Sequence, residues 1–222
     1  MIRTENKQRL RRSKSRKDSS TRWLQRQLND PFVQEARKQG YRARSVFKLQ
    51  EIDERFKLIT GGMRILDLGA APGSWSQYAA RKGAHVIAID LLEMEPIDGV
   101  TVLKGDFLDH AMQDRLRREL GGPADLVLSD IAPDATGRRI VDRLRAEQVG
   151  ETVLSFAAEV LRTDGKAFLK LVKGAEHAVM ETARPDFRSL KPLRPKATRS
   201  ESSEIFIIAA GCRHDGTSDH EG

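Results

Sequence analysis

The run Ile65-Leu66-Asp67-Leu68-Gly69-Ala70-Ala71-Pro72-Gly73-Ser74-Trp75-Ser76-Gln77 constrains this chain more than any other stretch. Its apolar first half closes on a glycine, the pattern of a buried parallel strand. Its second half offers small residues and a Gly-Ser pair able to cap a helix predicted over about Trp75 to Lys82. A strand, a small-residue turn and a helix N-terminus form a cradle that a nucleotide-like ligand can approach at backbone level. About twenty residues further on, the run 84–89 ends in Asp90, where a Rossmann-type unit carries the carboxylate that accepts from ribose hydroxyls. A purely structural turn is the competing reading, and the pairing of turn with strand-end acid favours the cradle. A dinucleotide fits poorly, because Ala71 stands where the second glycine of G-x-G-x-x-G belongs. Pro72 also lacks the N–H that a phosphate would seek.

The rest of the chain repeats the strand–helix alternation. At 222 residues it suits one well-buried α/β domain. Val46, Leu49, Ile52 and Phe56 recur at helical spacing in a segment read from Tyr41 to about Phe56. Strands are predicted at 100–103, 124–130, 166–172 and 204–210, with a turn at Arg162–Gly165. A long helix is predicted from about Ile140 to Leu161. We expect a basic arm over 1–20, one domain over 21–211 and a tail over 212–222, with Cys212 past the last strand.

Charge indicates the partner. The net charge is +7, and residues 1–20 hold eight Lys/Arg against Glu5 and Asp18. Such a segment cannot offset the entropy of ordering itself and reads as an RNA-attracting arm. From Arg188 to Ser200 there are five cations and no acid. With Arg42 and Arg44 these suggest an electropositive track, although on helix pattern alone an ordinary solvated face is the favoured reading of Arg42, Arg44 and Lys48. The apolar runs are strand-sized, so no membrane span is expected. A single cysteine and scattered histidines give no metal set, and a reducing cytoplasm is the expected compartment.

Open α/β sheets bind ligands at the carboxyl ends of their strands, and Asp106, Asp130 and Lys170 lie at or near such positions. Asp106 follows the 100–103 strand, where a plain helix N-cap is its alternative role. Asp130 closes the 124–130 strand, Lys170 interrupts an apolar run, and Glu204 opens the last strand. A lysine there is either a functional group or one that snorkels to the sheet edge.

In these features the chain resembles the RrmJ/FtsJ family of 23S rRNA ribose 2′-O-methyltransferases. The shared pieces are Phe47-Lys48-Leu49, Asp67-Leu68-Gly69-Ala70-Ala71-Pro72-Gly73, Ser129-Asp130-Ile131-Ala132-Pro133, Leu169-Lys170 and Ser203-Glu204. The resemblance implies a Rossmann-like class I methyltransferase fold, with a mostly parallel seven-stranded sheet, an antiparallel last strand and helices on both faces. It implies S-adenosylmethionine as cofactor, with contacts at Gly73, Trp75, Asp90, Asp106 and Asp130. It also implies a catalytic tetrad of Lys48, Asp130, Lys170 and Glu204, with Lys170 as proton acceptor. The expected substrate is a uridine in the peptidyl transferase region of large-subunit rRNA, and the expected state a monomer.

A lysine works as a base only if its pKa is lowered by burial or by another cation. Lys48 favours that for Lys170, whereas Asp130 and Glu204 oppose it, so a base and an orienting group both stand. Base N-methylation is disfavoured, since Asp130-Ile131-Ala132-Pro133 is not an Asp-Pro-Pro-aromatic loop. Methylation of tRNA or an mRNA cap, and a non-catalytic RNA-binding assembly factor, are the alternatives.

Overall fold

The computed structural model of this chain describes residues 29–213; the basic arm, the 21–28 segment and the 214–222 tail lie outside them. The predicted apolar runs become strands β1 (Arg64–Leu68), β2 (His85–Asp90), β3 (Val100–Lys104), β4 (Ala124–Ser129), β5 (Leu161–Val172), β6 (Phe187–Leu193) and β7 (Glu204–Cys212). Among the described residues they form a seven-stranded sheet in the order β3-β2-β1-β4-β5-β7-β6. The pairings are parallel from β3 through β5, and β7 runs antiparallel to both β5 and β6. The sheet reverses its direction of growth between β1 and β4, the switch point at which open α/β sheets form their crevice.

Helices α1 (Pro31–Lys38), α2 (Val46–Phe56) and α3 (Ser74–Arg81) precede or flank β1. Helices α4 (His110–Leu120), α5 (Arg139–Val160) and α6 (Glu176–Ala183) follow β3, β4 and β5. Side-chain alternation along the strands divides the core between the two faces. Leu126, Leu128, Phe168 and Phe206 pack with Leu49 and Ile52 of α2 and with Trp75 of α3. Val127, Leu169 and Ile207 face the opposite way, toward Leu116 of α4, Val153 and Phe156 of α5, and Val179 of α6. Trp75, Phe168 and Phe206 form an aromatic nest, with Phe168 stacked on Phe206 at 5.2 Å between centroids and the indole 5.5 Å from Phe168.

Three boundaries differ from the sequence reading. The helix expected from Tyr41 starts at Val46, because residues 39–45 are held against α3 instead. The turn expected at Arg162–Gly165 lies inside β5, as an irregularity between the Ala124–Leu161 and Leu126–Lys166 pairings. There Arg162 Nη1 meets Asp125 Oδ1 at 2.8 Å, which replaces the expected turn with a cross-strand tie. Cys212 is not past the last strand but ends it, fully buried, with Sγ donating to the Ala158 carbonyl at 3.1 Å. Arg213 is likewise anchored, its N–H donating to Asp186 O at 2.8 Å.

Candidate active site

The turn after β1 is shaped by close approach. Gly69 has φ +71°, and a Cβ there would lie 2.6–2.9 Å from Ile131 side-chain and backbone atoms. Only glycine lets the β1 and β4 turns touch, which brings Asp130 beside the cradle. Gly73, at φ +101°, is the N-cap of α3 and supplies no side-chain acceptor. Ser74 does not cap the helix as the sequence suggested. Its hydroxyl instead pairs with Ser45 Oγ at 2.8 Å.

An acid from the strand meets the helix N-terminus. Asp67 Oδ2 accepts from Ser76 Oγ at 2.5 Å, while Oδ1 is buried with no hydrogen-bond partner. Burial pushes the Asp67 carboxyl up to about 7; Ser76 opposes this, and the nearby charges of Asp130 and Asp90 add to it. A carboxylic acid interrupting the apolar run Ile65-Leu66-Asp67-Leu68 was the signal for this group, although the motif drew attention to its glycines.

Asp90 sits at the end of β2, where Oδ2 accepts from Ala71 N at 2.9 Å and Oδ1 from Leu92 N at 2.8 Å. Those bonds fix its carboxylate facing the turn. Asp106 is exposed and accepts from Leu108 N at 2.9 Å. Its alternative role falls to Asp109, the actual N-cap of α4. The Trp75 side chain is core, and Nε1 donates to Ser45 O at 2.9 Å, so what Trp75 presents at the first turn of α3 is its backbone. The cradle holds acids rather than bases, which fits a ligand with ribose hydroxyls and positive charge and repels phosphate.

Lys48, Asp130, Lys170 and Glu204, the expected tetrad, form two ion pairs at the carboxyl edge of the sheet. Lys170 Nζ lies 2.6 Å from Asp130 Oδ1 and donates to Asp130 O at 2.7 Å. Lys48 Nζ lies 2.6 Å from Glu204 Oε2 and 5.5 Å from the Phe206 ring centroid. Lys170 pairs across from Phe206, and Val172 from Glu204, so Lys170 and Glu204 are diagonal neighbours on one face. Burial opposes ionisation of Glu204, but Lys48, Lys170 and Ser202 together hold its carboxyl below the usual range. Lys48 is 8% exposed, so the solvated-face reading is wrong for it. Lys170 and Glu204 also line a cavity of about 120 Å³, completed by Ile131, Pro133, Val149 and Val172.

The expected basic track loses several members. Arg44 Nη1 pairs with Asp30 Oδ2 at 2.5 Å and its Nη2 donates to Ala197 O. Arg199 pairs with the same carboxylate at 2.7 Å. Arg194 Nη2 donates to the carbonyls of Arg199, Ser200 and Ser202, folding its own loop. Arg42 donates to three carbonyls of the cradle loops. These cations hold backbone in place, Arg194 while itself exposed, and Arg188, Lys191 and Lys196 are exposed as well. Among the described residues no cluster of His, Cys, Asp or Glu could hold a metal, and no helix is long and apolar enough to cross a membrane.

Comparison with known proteins shows the family. The model of the FtsJ-like methyltransferase family matches residues 41–212. Ribosomal RNA large subunit methyltransferase E of Gluconobacter oxydans (strain 621H) is 50% identical over 209 residues, covering 92% of this chain and 77% of that protein. The protein of the same name from Rhodopseudomonas palustris (strain TIE-1) is 47% identical, over 91% of this chain and 89% of its own. Among solved structures, one described as a ribosomal RNA methyltransferase from Plasmodium falciparum shares the fold with a TM-score of 0.68, at 24% identity, over 78% of this chain and 98% of that one. The matched span contains the whole sheet and all four residues of the charged set, and this chain belongs to the FtsJ-like methyltransferase family.

Proposed function

We propose that this chain methylates the 2′-hydroxyl of a ribose in large-subunit ribosomal RNA, using S-adenosylmethionine, with a uridine of the peptidyl transferase region as target. The observation that carries the reading is the convergence of the Lys170–Asp130 and Lys48–Glu204 pairs beside one cavity at the carboxyl ends of β4 and β5. The names of the two relatives described above support the rRNA substrate.

The cofactor fits the residues present. Asp90 would receive the ribose hydroxyls, Asp106 the adenine amino group, and the backbone of Gly73 and Trp75 the amino-acid end, beside the orphaned Asp67 Oδ1. When bound, it supplies an activated methyl group on a sulfonium. The protein's task is then to align the acceptor oxygen and remove one proton. Asp130 fixes the direction of the Lys170 ammonium, and Lys48 is held by Glu204 against the same edge. Lys170 Nζ is the proton acceptor in this reading. Acceptance of that proton requires the neutral amine, so turnover should rise with pH. Mapping 2′-O-methylation after incubation of large subunits and free rRNA with labelled cofactor tests the assignment. Methyl label on a base, or none on rRNA in either form, would overturn it.

A further inference from the structure

Arg42 lies on the N-terminal segment that leads into α2, six residues before Lys48. Its guanidinium meets three carbonyls from two other parts of the chain. Nη1 donates to Pro72 O at 3.1 Å and to Glu95 O at 2.8 Å, and Nη2 to Pro96 O at 2.7 Å. Pro72 belongs to the turn after β1, and Glu95 and Pro96 to the 91–99 loop after β2. The two loops touch beneath this side chain. A Cβ on Gly73 would lie 2.5 Å from Ile97 Cδ1 and 3.3 Å from Arg42 Nη1.

The segment carrying Arg42 is fastened on its other side to α3. Arg42 N donates to Gln77 Oε1 at 2.9 Å, and Trp75 Nε1 to Ser45 O at 2.9 Å. Arg81 donates to Gln39 O at 2.9 Å and to Gly40 O at 3.0 Å. A guanidinium presents its donors in a fixed fork, and both Nη1 donors and one Nη2 donor of this one are spent on backbone carbonyls. The same loops bear the groups that fix Asp90, since Ala71 N and Leu92 N are its donors.

We propose that Arg42 is a positioning residue for the cofactor cradle and not an RNA contact. It buckles the turn after β1 to the loop after β2, and joins both to the segment that delivers Lys48. The proposal rests on the S-adenosylmethionine reading above.

The test uses the full chain and calorimetric titration with S-adenosylmethionine, alongside binding of large-subunit rRNA over a range of salt. Arg42→Gln should raise the cofactor Kd on the order of tenfold, the scale of losing charge-assisted bonds. Arg42→Lys should fall between it and the native chain, because one ammonium cannot span three carbonyls. Amides of residues 91–99 should exchange hydrogen faster in Arg42→Gln, while RNA affinity and its salt slope stay unchanged. Should Arg42→Gln fail to fold, Arg42→Lys carries the same comparison. An unchanged cofactor Kd would overturn the proposal, as would a weakened RNA affinity with a salt slope shallower by about one phosphate contact. If the native chain gives no binding heat with S-adenosylmethionine, the cofactor reading fails, and this proposal with it.

Discussion

Asp67 gives a prediction whose size follows from burial. The side chain is fully buried in β1 at the first turn of α3, one oxygen bonded to Ser76 and the other unpartnered. Its carboxyl rises from an ordinary 3.8 to about 7, so between these values the folded chain binds a proton that the unfolded chain has released. Stability attributable to this group is therefore present below about pH 4 and declines as pH rises toward 7. Each pH unit in that window is worth about 1.4 kcal/mol, giving about 4 kcal/mol in full. Asp67→Asn keeps the shape and stays neutral, mimicking the protonated acid. Urea unfolding of both proteins without cofactor should give similar stability near pH 4. By pH 8 the Asn variant should be the more stable by up to about 4 kcal/mol. A difference that stays constant across this range would refute the reasoning, since it would mean that Asp67 titrates alike in both states.

Three further outcomes are expected. Asp90→Ala should weaken S-adenosylmethionine by roughly 1–3 kcal/mol in calorimetry, and an unchanged Kd would remove Asp90 from the cofactor site. Lys170→Ala should lose methyl transfer yet keep its fold and cofactor affinity; Lys170→Arg should also be inactive, because arginine does not release its proton. A flat pH–rate profile for the native chain, with chemistry limiting, would count against proton transfer to Lys170. Deleting residues 1–20 should reduce RNA affinity and the steepness of its salt dependence, with cofactor affinity unaffected; equal RNA binding by filter assay would refute a role for the arm.

Local pattern carried most of the architecture. The apolar runs at 65–68, 86–89, 124–128 and 166–172 all became strands of the sheet. Their spacing with intervening helical stretches leaves few topologies, because parallel strands require crossovers of one hand. Strand-end positions for Asp90, Asp130, Lys170 and Glu204 were legible for the same reason. The ends that pattern missed are those decided by distant partners. Residues 41–45 are not helical because Trp75 and Gln77 bind their backbone, and Cys212 belongs to β7 because Phe187 pairs with it across the sheet.

The arginines show most clearly what only the tertiary structure decided. In sequence, Arg42 and Arg44 are cations off an apolar stripe, indistinguishable from RNA-facing ones. Their roles depend on carbonyls at Pro72, Glu95, Pro96 and Ala197 and on the carboxylate of Asp30. A backbone carbonyl leaves no mark in the sequence, so a cation's use cannot be read until the chain has folded. Asp67 makes the complementary point. Its place in an apolar run was visible, but the burial and neighbouring charge that raise its pKa arise only when β1, β2 and β4 bring Asp67, Asp90 and Asp130 together. Sequence periodicity determined the sheet and which residues stand at its carboxyl edge. Which of those charges pair, and which cations hold loops rather than face a partner, was set by contacts between segments far apart in the chain.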